Sequence, residues 1–274
     1  MLLHVSIFIV GLIVLSWSAD RFVYGAAGLA KNIGISPMMI GLTIVAMGSS
    51  APEIVVSAIA SANGNMNTAV GNALGSNITN VALVLGITAL VKPLVVSSTT
   101  LRRELPALLI ISIIAIGFLI DGELVTYEGI ILLGLFVFVI AMMAWLSLQV
   151  DKEDPLVKET AGEVPSGVSN TAALVWIGLG LILLPLSAHF MVDSAVEIAR
   201  YLGMSDLVIG LSIIAFGTSL PELAASVAGV LKGEDDLALG NIIGSNIFNL
   251  LAVLGMPGLI APGLLDPDVY HRDI

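Results

Sequence analysis

A segment of this chain occurs twice, and this duplication constrains the fold more than any other feature of the sequence. Residues 41–53 read GLTIVAMGSSAPE, and residues 210–222 read GLSIIAFGTSLPE. A second pair follows at the same separation, with GNALGSNITN at 71–80 and GNIIGSNIFN at 240–249. Because one constant offset aligns both pairs without a gap, we interpret them as an internal repeat.

Long apolar runs indicate that both copies lie in a membrane. The 274 residues are 57% hydrophobic and only 11% charged, whereas a soluble domain is about a quarter charged. A helix requires roughly 20 apolar residues to cross the hydrocarbon layer. The sequence therefore predicts an all-α membrane protein with about eight transmembrane helices, near residues 2–19, 38–61, 69–91, 105–120, 124–148, 171–191, 207–231 and 237–260.

Five of these predicted helices precede the second copy, and an odd number places the two copies upside down relative to one another. We therefore expect a first inverted repeat of five helices over 1–148 and a second repeat over 171–274. The residues between them, 149–170, form the predicted linker. Its mixed charge and two prolines favour a solvated cytoplasmic connection over a regulatory ion-binding loop.

The alignment of the two copies also predicts that the second repeat is shorter than the first. Residues 101–105 align with residues 270–274, and two further apolar runs follow only the first of these segments. We expect a fold of five plus five helices whose last two helices are absent from this chain. A protein that has only eight spans is the alternative.

Basic residues are distributed unevenly between the two sides of the predicted topology. If the N-terminus lies outside, only Arg200 and Arg272 fall on the outer side. The basic residues on the cytoplasmic side are then Arg21, Lys31, Lys92, Arg102, Arg103, Lys152, Lys158 and Lys232. Because cytoplasmic loops are enriched in Lys and Arg, we expect a multi-pass protein of the inner (plasma) membrane with its N-terminus on the outer side. Membrane lipid is the expected surrounding, and no nucleic-acid partner is expected.

Two glutamates, Glu53 and Glu222, lie within apolar spans at equivalent positions of the repeat. A charged side chain near the bilayer centre is costly and usually faces the interior of a helix bundle, where it marks the path of an ion or proton. One isolated glutamate could be protonated and hydrogen-bonded to a neighbouring helix. Two of them, each within a polar cluster, favour a cation site instead.

The sequence around each glutamate supplies further oxygen atoms. Pro52 and Pro221 have no N–H, so the carbonyl groups four residues earlier lose their helical partners. The residues that share a helix face with the glutamates are hydroxyl residues, namely Ser49, Ser50 and Ser57 beside Glu53, and Thr218, Ser219 and Ser226 beside Glu222.

The next span of each repeat carries a polar stripe with side chains spaced by four residues. The stripe contains Asn72, Ser76 and Asn80 in the first copy, and Asn241, Ser245 and Asn249 in the second. Small residues allow helices to approach closely, and the glycines expected to do so are Gly71, Gly75, Gly240 and Gly244.

All of these groups are hard oxygen donors, which suit Ca²⁺ or Na⁺ and do not suit zinc or copper. The chain also contains no cysteine, which excludes thiolate metal sites. Two carboxylates, Glu53 and Glu222, can neutralise one Ca²⁺ or be shared by several Na⁺. Because one site cannot hold both loads, each ion would displace the other. The ions are expected as transported substrates, and no resident cofactor is expected.

The paired motifs Gly-Ser/Thr-Ser-x-Pro-Glu and Gly-Ser-Asn-Ile-x-Asn carry a specific resemblance. With these motifs occurring twice, the sequence resembles the cation/calcium exchanger superfamily, in its sodium/calcium exchanger branch of bacterial type. The resemblance covers nearly the whole chain and implies ten helices in two inverted halves of five. It also implies that the first and sixth spans, which contain Gly11 and Gly180, slide to switch access between the two sides.

The resemblance implies a set of ion ligands. By motif these are the side chains of Glu53, Glu222, Ser49, Ser50, Ser76, Asn80, Thr218, Ser219 and Ser245, with the backbone carbonyls of Ala46 and Ala215. Asn249 joins this candidate set, although some members of the superfamily carry Asp at that position. The amide weakens any case for potassium cotransport and removes one possible proton carrier.

The function we predict is secondary active antiport, in which Na⁺ moves down its gradient and Ca²⁺ moves against its own by alternating access at the two glutamates. The alternative is cation/proton (Ca²⁺/H⁺) exchange by the same residues, because a carboxyl group in apolar surroundings also binds protons. An intramembrane hydrolase is a weaker hypothesis, since no separate nucleophile or His pair accompanies the acids. A passive channel is a further alternative, which a steady single-channel current would favour. We therefore do not expect an enzyme.

Overall fold

The computed structural model describes residues 1–96, 100–147, 168–203 and 217–265, and it shows a helical bundle. The helices in these ranges are α1 (Leu2–Ile33), α2 (Met38–Ser49), α3 (Ala51–Ala62), α4 (Met66–Val91), α5 (Leu105–Leu119), α6 (Thr126–Ser147), α7 (Asn170–Tyr201), α8 (Leu220–Leu231) and α9 (Asp235–Ile260). Two short strands, β1 (Glu123–Leu124) and β2 (Gly263–Leu264), pair antiparallel.

Every predicted span overlaps one of these helices, but the helices differ in their ability to cross a membrane. Five are long and apolar enough, namely α1, α4, α6, α7 and α9. The pair α2 and α3 forms a sixth if its 44° bend lies within one span. Helix α5 has 15 residues and continues directly from a π-helical segment, Thr100–Glu104, that carries three charged residues, and α8 has 12 described residues. The count of eight spans therefore stays a prediction.

Helices α1 and α7 extend well beyond the predicted ends at residues 19 and 191. Each has 32 residues and is about 48 Å long at 1.5 Å per residue, more than the hydrocarbon thickness. In α1 the extension carries Ala26, Ala27 and Ala30, which are buried in a hydrophobic cluster that also contains residues of α2, α7, α8 and α9. Packing between the helices thus continues the helix past its most apolar part. Arg21 and Lys31 consequently lie in α1 and not in a loop.

Equivalent residues of the repeat make reciprocal contacts between α1 and α7. A Cβ atom added to Gly11 would lie 2.5 Å from Met191, and one added to Gly180 would lie 2.5 Å from Phe22. Met191 is the repeat equivalent of Phe22, just as Gly180 is the equivalent of Gly11. The contacting residue in α7 has a lower number (180 instead of 191) where the contacting residue in α1 has a higher one (22 instead of 11), so the two helices are antiparallel. Each glycine accommodates a large side chain of the other helix.

Helix α9 lies at the centre of the bundle, since its most apolar 18-residue window is completely buried. It crosses α2 at Gly41 and Gly240, where a Cβ on either glycine would overlap a backbone carbonyl of the other helix. Gly244 approaches Leu42 and Ala46 as closely. The predicted close approach is therefore found at Gly240 and Gly244, whereas a Cβ added to Gly71 or Gly75 would meet no other element within 4 Å among the described residues.

The turns that follow α3 and α8 are also equivalent. Gly64 and Gly233 have φ angles of 76° and 80°, a left-handed conformation that favours glycine. The residue before Gly233 is Lys232, whose Nζ lies 2.6 Å from Asp20 Oδ1 and so connects the end of α8 to α1. The first repeat has the uncharged Asn63 where the second has Lys232.

The crossing of α2 and α9 predicts a strong effect of a single methyl group. We expect Gly240→Ala to lower the thermal unfolding temperature of the detergent-solubilised protein, because overpacking costs about 1–3 kcal/mol and the obstructing atom is the backbone carbonyl of Met38. Gly134→Ala is the control, since a Cβ added to this exposed glycine of α6 would meet nothing within 4 Å among the described residues. Equal unfolding temperatures for the two variants would contradict the close crossing.

Candidate ion-binding site

Each glutamate of the repeat lies in the first turn of a helix that begins at a break in the chain. Ser50 precedes α3 with φ −85° and ψ 6°, and Ser219 precedes α8 with φ −90° and ψ 7°. Pro52 and Pro221 lie in the first turns, where the missing N–H would be unpaired anyway. A helix N-terminus carries free N–H groups and a partial positive charge, which favours a carboxylate there.

The structure places both glutamates inside the protein and connects them across the repeat. Glu53 and Glu222 are each 1% exposed, and Ser50 of the first copy donates a hydrogen bond to Oε1 of Glu222 in the second at 3.2 Å. This bond joins the chain break that precedes Glu53 to the carboxyl group of Glu222. Within the described ranges, neither glutamate forms an ion pair, and Oε2 of each has no hydrogen-bond partner.

The central helix α9 contacts the break in α2–α3 through polar side chains. Ser49 donates to Oδ1 of Asn241 at 3.1 Å, and its hydroxyl is 3.3 Å from that of Ser245. All three residues are buried. The stripe of the second copy therefore reaches the serines of the first copy, as expected for a site shared between the repeats.

An asparagine of each stripe holds the backbone of the glutamate in the same copy. Asn72 donates to the carbonyl of Glu53 at 3.1 Å, and Asn241 donates to the carbonyl of Glu222 at 3.2 Å. Asn241 also donates to Ser226 at 2.9 Å. Because each asparagine holds the backbone carbonyl of the glutamate in place, it also restricts the position of the glutamate Cα and Cβ atoms.

Two residues predicted to share the glutamate face use their hydroxyl groups elsewhere. Ser57 donates to the carbonyl of Val253 at 2.8 Å, and Ser226 accepts the hydrogen bond from Asn241. Both are buried and hold helices together. Neither belongs to the ligand set that the resemblance implies.

The remaining candidates lie around the same elements. Ser76 and Asn80 of α4 and Asn249 of α9 are buried, and Thr218 is half-buried beside the break before α8. The carbonyl of Ala46, buried in α2, accepts from the N–H of Ser50 at 3.0 Å and from the hydroxyl of Ser49 at 3.3 Å. Ala215 lies outside the described residues.

The site combines two acids with unpaired neutral oxygens. Buried oxygen atoms without a hydrogen-bond partner in the described part of the chain include Glu53 Oε2, Glu222 Oε2, Ser219 Oγ, Asn80 Oδ1 and Asn249 Oδ1. Because a buried acceptor without a donor is costly, these atoms suit a bound cation. No group of three or more His, Cys, Asp or Glu residues suited to a metal occurs in the described ranges, so neutral oxygens must complete any coordination shell.

Comparison with known proteins identifies the family. The sequence profile described as sodium/calcium exchanger protein matches residues 3–145 and 172–274. The chain belongs to the sodium/calcium exchanger family. Members of this family transport ions, and exchangers are in general not enzymes. The predicted membership of the cation/calcium exchanger superfamily is thereby confirmed.

Relatives of the exchanger align along all or most of its length. A protein of Alkalimonas amylolytica named putative antiporter CaxA is 56% identical over 273 residues, which are 100% of this chain and 86% of the relative. Inner membrane protein YrbG of Escherichia coli K12 is 47% identical over an alignment that covers 100% of this chain and 85% of YrbG. Sodium/calcium exchanger MaX1 of Methanosarcina acetivorans is 31% identical, with coverages of 93% and 83%.

Solved structures show the same fold. The exchanger superposes on the sodium–calcium exchanger NCX_Mj soaked with 2.5 mM Na⁺ and 0.1 mM Ca²⁺ with a TM-score of 0.83, at 34% identity over 97% of this chain and 85% of the other. The same protein soaked with 10 mM Na⁺ and no Ca²⁺ gives a TM-score of 0.81. The chain is therefore a multi-pass membrane protein with the fold of a bacterial-type cation/calcium exchanger.

The sequence prediction missed two asparagines of the repeated motif. Asn77 donates to the carbonyl of Asn246 at 3.3 Å, and Asn246 accepts from Asn80 at 3.2 Å. Both residues are polar, lie in apolar spans and occupy equivalent repeat positions. They escape a search for spacing by four, because they fall one residue after Ser76 and Ser245 and face the other repeat.

The two backbone-holding asparagines predict unequal losses of stability. We expect Asn241→Ala to lower the unfolding temperature more than Asn72→Ala, because it removes bonds to Glu222, Ser226 and Ser49 at once. Each buried partner left unpaired costs about 1–3 kcal/mol. Asn72 is half-buried, and its equivalent hydrogen bond is the one that it donates to the carbonyl of Glu53. Thermal unfolding of both variants in one detergent measures the difference, and a larger loss for Asn72→Ala would refute this account.

Proposed function

We propose that this exchanger carries out secondary active antiport of Na⁺ for Ca²⁺, with both ions competing for a site between Glu53 and Glu222. The observation that carries the proposal is the pair of carboxyl groups, each 1% exposed and each with an oxygen that lacks a donor among the described residues. A buried carboxylate without a counter-charge is costly. A cation would supply that charge.

The proposed ligand set is the one implied by the repeated motifs. It contains the side chains of Glu53, Glu222, Ser49, Ser50, Ser76, Asn80, Thr218, Ser219, Ser245 and Asn249, and the carbonyls of Ala46 and Ala215. The contacts of Ser50 with Glu222 and of Ser49 with Ser245 support a site shared by the two copies. Oxygen ligands in a flexible shell suit Ca²⁺, and the same two charges can be divided among several Na⁺.

The proposed architecture is two inverted repeats, with residues 1–148 belonging to the first and residues 171–274 to the second. The antiparallel packing of α1 against α7, with reciprocal glycine contacts, supports the inversion. We place the N-terminus on the outer side, as the distribution of basic residues indicates. The predicted linker at 149–170 lies outside the described residues except for residues 168–170.

Alternating access would come from movement of α1 and α7 as a pair past the other helices. Both helices expose large apolar side chains on their outer faces, such as Ile13 and Ile182, and they pack against each other through small residues. A pair that faces lipid on one side has fewer protein contacts to exchange when it slides. The two glutamates lie on α3 and α8, outside the moving pair.

Replacing either glutamate should abolish exchange. In vesicles with an outward-directed Na⁺ gradient, we expect the wild-type protein to accumulate radioactive calcium and Glu53→Gln and Glu222→Gln to reduce uptake to background. Each amide keeps the size of the side chain but removes the charge that holds the ion. Asp121→Asn, a neutralised acid in the exposed turn before β1, is the control and should retain uptake.

The same vesicles test the coupling ion. Calcium uptake that ignores Na⁺ and follows a pH gradient would replace the proposal by Ca²⁺/H⁺ exchange. Uptake that needs no counter-gradient and appears as a steady single-channel current in a planar bilayer would indicate a channel.

Movement of α1 and α7 can be tested with pairs of cysteines, because the native chain has none. We expect a short thiol crosslinker between Asp20→Cys and Lys232→Cys to stop uptake, since it connects α1 to the end of α8. The native side chains at these positions are 2.6 Å apart. Crosslinking Asn32→Cys to Asn170→Cys, whose native amides are 2.8 Å apart, joins α1 to α7 and should leave uptake intact. Equal inhibition by both crosslinks would argue against a moving pair.

A further inference from the structure

The amide of Asn80 is held at one end only. Its Nδ2 donates to Oδ1 of Asn246 at 3.2 Å, whereas its Oδ1 is buried and has no hydrogen-bond partner in the described part of the chain. An asparagine amide has a donor end and an acceptor end. A bond that occupies the donor end therefore determines which end of the group remains free, and here the free end is the oxygen.

Asn246 is suited to holding this orientation. It is 2% exposed and lies on the central helix α9. Its backbone carbonyl accepts from Asn77 at 3.3 Å, so residues of the other repeat contact both its side chain and its main chain. No acid or base is involved in either contact, and the orientation depends on hydrogen bonding alone.

The equivalent position of the second copy is not held in this way. Asn249 is the repeat equivalent of Asn80, and Asn77 is the equivalent of Asn246. Neither Nδ2 nor Oδ1 of Asn249 has a partner within the described residues, and the donor of Asn77 is directed to a backbone carbonyl. Only one of the two repeat-related amides is thus oriented by a neighbouring asparagine.

We propose that Asn246 is a positioning residue, which keeps the oxygen of Asn80 available to the transported cation by accepting a hydrogen bond from its nitrogen. This inference rests on the proposed function. Without that acceptor, the amide of Asn80 can turn and present N–H groups to the cation, which repel it. Asn246 would act through Asn80 and would not itself touch the ion.

The test uses Ca²⁺ binding to the purified protein in detergent, followed by the rise in unfolding temperature with Ca²⁺ concentration. We expect Asn246→Leu to raise the half-saturating Ca²⁺ concentration about tenfold, as the loss of one good interaction does. Asn246→Asp keeps an oxygen acceptor for Asn80 and should bind Ca²⁺ at least as tightly as the wild type.

A double-mutant cycle separates positioning from packing. Asn80→Ala removes the oriented group, so adding Asn246→Leu to it should weaken Ca²⁺ binding no further. Ser57→Ala is the matched control, because it also breaks a buried hydrogen bond to α9, and it should lower stability without changing Ca²⁺ affinity. If Asn246→Leu yields no folded protein, Asn246→Ala takes its place in the cycle.

The outcomes distinguish this inference from the proposed function. If Ca²⁺ stabilises the wild type but Asn246→Leu binds it equally well, the positioning role is wrong and the site stands. Additive losses in the double variant would likewise overturn the role. If the wild type shows neither stabilisation by Ca²⁺ nor Na⁺-driven uptake, the proposed function itself fails.

Discussion

A carboxylate removed from water needs a counter-charge, a proton or several donors beside it, and this requirement governs the centre of the exchanger. Glu53 and Glu222 lie in the first turns of α3 and α8, where free N–H groups and the helix dipole favour negative charge. Among the described residues, the hydroxyl of Ser50 donates to Glu222, and no basic side chain pairs with either acid. The protein thus lowers the cost of burying the acids only in part, and in the proposed function the transported ion supplies the remaining counter-charge.

The packing around the acids serves to hold them in place. Two breaks at Ser50 and Ser219 set the helix starts, and asparagines of the neighbouring helices hold the carbonyls of both glutamates. Glycines where α2 crosses α9 bring the two backbones close enough for Ser49 to reach Ser245. Polar contact and close packing therefore depend on one another, and the site belongs to helices of both copies.

Much of this site could be predicted from the sequence, because polar residues in apolar spans are costly to bury and rarely recur at matched positions unless they bind something. Glu53, Glu222 and their serines occur beside the helix breaks that Pro52 and Pro221 indicated. The extent of α1 could not be predicted, since Ala26 and Ala30 are buried in a cluster that includes residues distant in the sequence, such as Ala225 and Leu237. The contact of Asn80 with Asn246 was missed for a similar reason. It joins the two copies, so no regular spacing of polar residues within either copy indicates it.

The ion pair between Asp20 and Lys232 shows how far the two copies have diverged. Their equivalents in the other copy are His189 and Asn63, and an uncharged amide cannot form such a pair. In the proposed inverted arrangement, a protein whose two copies differ in this way departs from two-fold symmetry. Its two membrane faces are energetically distinct, so the resting protein should favour one of them over the other even when identical solutions bathe both.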